Sequence, residues 1–167
     1  GNKVTKEYYI NDYGNQIKNF VKSVFLRIRE IKYSEKFPIN KNLYPGLYIK
    51  NIAKKILDKE EGISFNNFDK IFDFLKKKSL IESMELIKND LKLLGITHDN
   101  FFSETELVNK DFVNKTVKKL FDKKFVEEGF LEPPKGEIDE NWKKTKRLIF
   151  KSTLFGDDTD RALQKND

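Results

Sequence analysis

The strongest constraint on the fold is a short β-prone run that ends in a polar turn and leads into an amphipathic helix. It reads Glu7-Tyr-Tyr-Ile-Asn-Asp-Tyr-Gly-Asn-Gln-Ile17. The run Tyr8-Tyr-Ile10 is too short for a helix and favours a strand. Asn11 and Asp12 carry side chains that cap or turn the backbone, and Gly14 allows a positive φ. Because open α/β sheets bind ligands at such strand ends, the segment predicts either a ligand site or a capped helix after a strand.

Apolar residues at helical spacing predict a mainly helical body between the two chain ends. The predicted helices run over residues 15–32, 46–59, from a cap at Asn66 or Asn67 to a stop at Gly95, and from Asn109 or Asp111 onward. Residues 76–79, Lys-Lys-Lys-Ser, interrupt the third pattern. The pattern there fits one kinked helix and two separate helices equally well.

β-prone runs predict strands mostly near the two chain ends. Strands are expected over residues 3–10, 148–154 and 161–164, a short hairpin over 125–131, and a short strand with a turn within 96–106. Terminal strands around a helical body are typical of an insertion between the strands of a larger sheet. We therefore expect the chain to be part of a longer protein.

Composition excludes several kinds of site. The chain has no Cys, which excludes disulfides and thiolate metal sites, and its one His, His98, leaves little basis for a His-based metal site. No run of about 18 apolar residues exists, so no transmembrane helix is expected. These features favour a soluble, cytoplasmic protein without membrane partners.

The positive charge is unevenly distributed. The net charge is +6, and residues 17–60 carry eleven Lys or Arg against four Asp or Glu. Such a surplus favours contact with RNA, because binding releases counterions from the phosphates. A lysine-rich solvated surface explains the same surplus, so both interpretations stay open.

Motifs in several parts of the chain resemble, in order, those of arginyl-tRNA synthetases. The 7–17 segment and the block Phe150-Lys-Ser-Thr-Leu-Phe-Gly-Asp-Asp-Thr-Asp-Arg161 are the most specific. Weaker matches between them are Leu43-Tyr-Pro-Gly-Leu-Tyr48, Phe101-Phe-Ser-Glu104 and Leu131-Glu-Pro-Pro-Lys-Gly136. The resemblance covers nearly the whole chain and is loosest over residues 64–90. Tyr13 departs from the family, which often has a small residue there.

The resemblance implies an α+β fold that is mainly helical. A helical insertion over residues 33–145 would be flanked by pieces of a Rossmann-like, class I synthetase nucleotide-binding domain. Those pieces are a strand and helix over residues 1–32 and a returning β hairpin over residues 146–167.

The same resemblance implies an ATP-dependent arginine–tRNA ligase as the whole protein, with Mg²⁺, arginine and its tRNA as cofactor and substrates. The family's His-x-Gly-His-type and Lys-Met-Ser-Lys-type motifs are missing, and residues 76–79 are a charge run without the context of the second motif. We therefore expect this part alone to be inactive and monomeric, to bind no cofactor or metal, and to hold no catalytic residue.

The candidate substrate-binding residues are Asn11, Asp12, Gly14 and Gln16. Related class I synthetases use an acidic residue at a similar strand end, and a carboxylate is the natural partner of a guanidinium group. Asp12 is therefore either a contact to arginine or the cap of the following helix. Asn11 and Gln16 complete a polar rim or satisfy local backbone groups, and Gly14 has a structural role.

A secondary candidate site is the acidic block Asp157, Asp158, Asp160 and Arg161. Three carboxylates in a short span can hold Mg²⁺. They also shape turns through Asx hydrogen bonds and pair with a nearby arginine, which is the favoured interpretation.

The main alternative function is a non-catalytic, basic helical RNA-binding module. The basic region over residues 17–60 supports it as well as it supports a synthetase.

Overall fold

The computed structural model describes residues 1–131 and 145–163 and divides the chain into two compact units, Gly1–Glu106 and Leu107–Asp167. Most of the predicted motif over residues 131–136 and the last residue of the strand predicted over 161–164 lie outside the described residues. Among the described helices, none has the length and apolar character needed to cross a bilayer.

The first unit places three helices between two paired strands. Its elements are β1 Glu7–Ile10, α1 Asn15–Tyr33, α2 Leu47–Lys59, α3 Phe68–Leu93 and β2 Asn100–Ser103, with α4 Glu104–Asn109 following directly. β1 and β2 are parallel, with Glu7 opposite Asn100 and Ile10 opposite Ser103. Parallel strands need a long crossover connection, which the three helices supply.

The core of this unit lies where α1, α2 and α3 meet. α1 buries Val21, Val24, Phe25 and Ile28, at the 3- and 4-residue spacing of one helix face. The remaining core members are Ile49, Ile52, Ala53, Ile56, Phe65 and Leu75. Each large side chain removed from water contributes about 1.5–3 kcal/mol. The helical periodicity of the sequence therefore identifies the buried faces of α1 and α2, whereas Phe65 lies in the loop before α3.

Polar groups of α1 fasten the loops that precede α2 and α3. Arg27 donates from Nη2 to the carbonyl oxygen of Pro45 at 2.6 Å, and Arg29 donates from Nη1 to that of Phe65 at 2.6 Å. The buried Ser23 hydroxyl accepts the backbone N–H of Tyr44 at 2.9 Å. Two of the basic residues between residues 17 and 60 therefore stabilise the fold through hydrogen bonds.

The stretch that could be one helix or two is a single helix. α3 covers 26 residues, and its cap is Asn67, whose side chain accepts the N–H of Lys70 at 3.1 Å. Lysine has good helix propensity, so the charged run does not break the helix. The stop at Gly95 is confirmed, since Gly95 has a φ of +72° and Ile96 N donates to Leu91 O at 2.8 Å.

The second unit contains a helix and a small antiparallel sheet. α5 Phe112–Asp122 precedes β3 Val126–Gly129, β4 Arg147–Phe150, a 3₁₀ turn over Ser152–Phe155 and β5 Arg161–Ala162. The strand order is β3-β4-β5, with Val126 opposite Phe150 and Ile149 opposite Ala162. The turn between β4 and β5 at Gly156 has a φ of +92°, as a glycine allows.

Two strand predictions are wrong, although the short strand expected within residues 96–106 forms as β2 and pairs with β1. The hairpin predicted over residues 125–131 does not form, since β3 pairs with β4 instead. The strand predicted over 148–154 ends at Phe150, because Ser152 turns the chain and donates its hydroxyl to Thr159 O at 2.7 Å. The mixed, mainly helical class is confirmed.

A buried carboxylate joins α2 to α3 and generates a stability prediction. Glu82 is 4% exposed and accepts from Lys59 Nζ at 2.6 Å, with Lys55 Nζ at 3.5 Å. The hydrogen bond from Lys59 lowers the pKa of Glu82 below its ordinary value of 4.5, against the opposing effect of burial. The stabilisation is therefore present above about pH 4.5 and is lost as the pH falls through the lowered value.

We expect Glu82→Gln to lower the free energy of unfolding by about 1–2 kcal/mol at pH 7, since both lysines are largely exposed and solvent weakens the pairs. Urea unfolding at pH 7 and pH 3 measures it, and the difference should shrink at pH 3. Glu85→Gln is the control, because Glu85 is exposed and lies 3.7 Å from Lys55. Equal losses in the two variants would contradict a special role for Glu82.

Candidate functional site

The carboxyl ends of β1 and β2 lie side by side because the strands are parallel. Ile10 is opposite Ser103, so the segments that follow, Asn11-Asp12 and Glu104-Thr105, leave the same edge. Parallel strands place functional loops at this edge. Two segments about 90 residues apart in sequence are thereby brought together at one candidate site.

Asp12 bridges the two segments through three hydrogen bonds. Its Oδ2 accepts the Ser103 hydroxyl at 2.6 Å, its Oδ1 accepts the Thr105 N–H at 2.8 Å, and its carbonyl oxygen accepts the Thr105 hydroxyl at 3.0 Å. Partial burial alone would raise the pKa of Asp12, but the hydrogen bonds from Ser103 and Thr105 hold it below its ordinary value. Asp12 is thus an ionised bridge between the strand ends.

Asp12 does not cap α1. The residue at the cap position is Gly14, and among the described residues no side-chain capping hydrogen bond forms at the start of the helix. Gly14 has a φ of +86°, and an added Cβ would meet nothing within 4 Å. Its role is therefore the turn between strand and helix, since no described group lies close enough to require a glycine.

A pocket of about 280 Å³ opens beside β1, with walls from α1, α3 and the start of α2. Two predicted site residues, Asn11 and Gln16, line it, and Asn11 Nδ2 lies 3.5 Å from Gln16 Oε1. Asp12 and Gly14 do not line it. Four tyrosines also contribute to the walls: Tyr8, Tyr9, Tyr44 and Tyr48.

The chemistry of the pocket is aromatic, apolar and uncharged. Ile10, Ile17, Phe20, Leu80, Met84 and Ile87 supply its apolar surface. Tyrosine rings stack on flat groups, and side-chain amides both donate and accept hydrogen bonds. The lining thus suits a flat or apolar part of a ligand with a few polar atoms.

Glu104 supplies a second carboxylate at this edge. It follows β2 directly. The pKa of the Tyr9 hydroxyl is raised mainly by partial burial and, to a lesser extent, by the negative charge of Glu104. Sequence reasoning missed Ser103, Glu104 and Thr105 as a group. The Phe101-Phe-Ser-Glu104 motif marked the region, but only the pairing of β2 with β1 connects it to Asp12.

The secondary block is a hydrogen-bonded turn. Arg161 donates to both carboxylate oxygens of Asp157, at 2.8 and 2.7 Å, and approaches Asp158 at 3.3 Å. Asp160 accepts the N–H and hydroxyl of Thr153 at 3.1 and 2.8 Å. The hydrogen bond from Arg161 holds the pKa of Asp157 well below its usual range. Across residues 1–131 and 145–163, no three His, Asp or Glu side chains are placed so that together they could hold a metal ion.

The basic region over residues 17–60 is partly neutralised within the fold. Arg27 and Lys50 pair with Glu30, and Arg29 pairs with Glu35. Lys55 and Lys59 both pair with Glu82. Only the remaining basic residues therefore carry positive charge that an external polyanion could bind. That charge is smaller than the composition of residues 17–60 indicates.

Comparisons with known proteins identify close relatives. The chain is 55% identical over 165 residues to an arginine–tRNA ligase of Pelagibacter ubique, covering 98% of this chain and 29% of that protein. It is 46% identical to an arginine–tRNA ligase of Wolbachia pipientis, covering 100% of this chain and 29% of the relative. No family model matches the chain.

A solved structure has the same fold. A crystal structure of a Campylobacter jejuni protein described as an arginyl-tRNA synthetase superposes with a TM-score of 0.63 at 30% identity, covering 98% of this chain and 32% of that one. The resemblance seen in the motifs is thereby confirmed. The chain spans about 29% of the length of the curated relatives it matches.

The hydrogen bonds of the secondary block generate a prediction about magnesium. Since Asp157 and Asp160 are occupied by Arg161 and Thr153, we expect millimolar MgCl₂ to leave the amide resonances of residues 156–161 unshifted in NMR spectra. Asp157→Asn should perturb the same resonances by releasing Arg161. Saturable, magnesium-dependent shifts confined to this block in the unsubstituted protein would contradict the structural interpretation.

Proposed function

We propose that this chain forms part of an arginine–tRNA ligase, which attaches arginine to its tRNA using ATP. The observation that carries the proposal is the 55% identity that extends over 98% of the chain to a protein of that name. The structural similarity to the Campylobacter jejuni protein supports it independently of the strongest sequence match. ATP with Mg²⁺, arginine and its tRNA are accordingly the proposed cofactor and substrates of the whole protein.

Within that ligase, the chain positions substrates and holds no catalytic group. The His-x-Gly-His-type and Lys-Met-Ser-Lys-type motifs are absent from it, so the groups that stabilise charge on the phosphates would come from elsewhere in the ligase. We propose a cytoplasmic, monomeric enzyme, as expected from the sequence.

The division into residues 1–32, 33–145 and 146–167 stays a prediction. The parallel pairing of β1 with β2 supports an α/β origin for the strand pair, as a Rossmann-like domain requires. That pairing also adds residues 100–103, which lie inside the predicted insertion, to the same small sheet. We propose that the strand pair forms the edge at which the ligase binds a substrate.

The pocket beside β1 is the proposed contribution to substrate binding. Asn11 and Gln16 line it, which supports their predicted role. Its uncharged walls suit the apolar or flat part of a substrate more than a guanidinium group. Asp12 and Gly14 stay predicted contacts, with less support, because both lie outside the lining.

A basic RNA-binding module without catalysis is the second candidate. Lys18, Lys36, Lys41 and Lys54 support it, because they form no ion pair with any described residue. The same lysines would suit a ligase that guides its tRNA, so RNA binding alone does not separate the two candidates.

Arginine charging tests the main proposal. The full-length protein containing this chain should charge tRNA with radiolabelled arginine only when ATP is present, and the 167-residue chain alone should not. RNA binding without charging by the full-length protein would favour the second candidate.

Gln16→Ala tests the pocket. Loss of one hydrogen bond to a substrate costs about 0.5–1.5 kcal/mol, so we expect the KM for arginine or for tRNA to rise about 3- to 10-fold with little change in kcat. Steady-state charging kinetics measure both constants. Asn15→Ala is the matched control, because Asn15 is an exposed, uncharged residue of the same helix outside the pocket, and an equal effect in both variants would contradict the assignment.

A further inference from the structure

We propose that Asp12 is a positioning residue of the ligase, which fixes Glu104 relative to Asn11 at the carboxyl ends of β1 and β2. The inference rests on the proposed function and deepens it. Asp12 then acts through Ser103 and Thr105 and does not itself touch arginine.

Both oxygens of the Asp12 carboxylate are already engaged. Oδ2 accepts the Ser103 hydroxyl at 2.6 Å and Oδ1 accepts the Thr105 N–H at 2.8 Å. Each oxygen could accept one further hydrogen bond, but these two bonds already fix the carboxylate between the two strand ends. Asp12 also lies outside the lining of the pocket. Its geometry is that of a bridge within the protein.

The hydrogen bonds of Asp12 hold the residues on both sides of Glu104. Ser103 and Thr105 are its neighbours in sequence, and both are bonded to Asp12, so the backbone of Glu104 is held on each side. A third bond, from the Thr105 hydroxyl to the carbonyl oxygen of Asp12 at 3.0 Å, ties the two backbones directly. The orientation of Glu104 at the strand end therefore depends on Asp12.

Glu104 and Asn11 are the two polar residues whose relative position these hydrogen bonds fix. Glu104 acts on Tyr9, whose ring lines the pocket together with Asn11. Within residues 1–131 and 145–163, Glu104 forms no ion pair, and its carboxylate interacts with the Tyr9 hydroxyl at this edge. Asp12 thus sets the position of the Glu104 backbone relative to Asn11 at this edge of the strand pair.

The opposite end of the same strand pair supplies a matched control. There the Asp99 carboxylate accepts the Lys6 N–H at 2.8 Å, and the Lys6 carbonyl oxygen accepts the N–H of Asp99 at 2.8 Å. Asp99 therefore bridges β1 and β2 as Asp12 does, but at the amino ends. Removing either carboxylate weakens the strand pair, and only Asp12 lies at the proposed site.

The conservative variant separates positioning from direct contact. In Asp12→Asn the amide oxygen can accept the Thr105 N–H and the amide nitrogen can donate to the Ser103 hydroxyl, so the bridge survives without its charge. In Asp12→Ala the side-chain bridge is lost. A contact to arginine through charge would be lost in both variants.

The experiment uses full-length ligase containing this chain, with the variants Asp12→Ala, Asp12→Asn and Asp99→Ala. Steady-state charging gives kcat and the KM for arginine, and thermal unfolding gives Tm. We expect Asp12→Ala to lower kcat at least 30-fold with the KM for arginine within threefold. Asp12→Asn should keep at least one fifth of kcat, and Asp99→Ala should lower Tm comparably to Asp12→Ala with kcat within twofold.

Two results would overturn the inference. If Asp12→Asn is as slow as Asp12→Ala, or raises the KM for arginine at least 10-fold, Asp12 contacts the substrate. If Asp12→Ala and Asp99→Ala change kcat equally, Asp12 only stabilises the strands. The Asn variant keeps the test valid if Asp12→Ala fails to fold. Absence of charging by the unsubstituted ligase would instead refute the proposed function, and the inference with it.

Discussion

The parallel pairing of β1 with β2 is the constraint on which the first unit depends. Two short strands more than 80 residues apart in sequence can lie parallel only if the chain between them crosses over. Three helices with a shared apolar core make that crossover, and arginines on α1 fasten the loops between them. Because the strands are parallel, their carboxyl ends share an edge, and the candidate site follows from that geometry.

Local patterns predicted most helices, because helix formation depends on neighbours three and four residues away. The faces of α1 and α2 were therefore identifiable from the sequence. Strand pairing was not, because the partner of a strand lies elsewhere in the chain. β3 pairs with β4 across a gap in sequence, whereas local reasoning paired it with the residues just after it.

The site was predictable only where local sequence patterns determine it. The turn after β1 was visible from Asn11, Asp12 and Gly14, and Asn11 with Gln16 does line the pocket. The sequence left two roles open for Asp12, and the structure gives a third, because its partners Ser103 and Thr105 are remote in sequence. A residue whose role is set by a non-local pairing cannot be assigned from its neighbours.

The most direct test of this account is a crystal structure of the full-length protein with arginine and a non-hydrolysable ATP analogue. The account predicts that a substrate lies at the shared edge of β1 and β2, within contact of Asn11 or Gln16, while Asp12 keeps its hydrogen bonds to Ser103 and Thr105. Substrates bound away from that edge, or a guanidinium group bonded to Asp12, would contradict it.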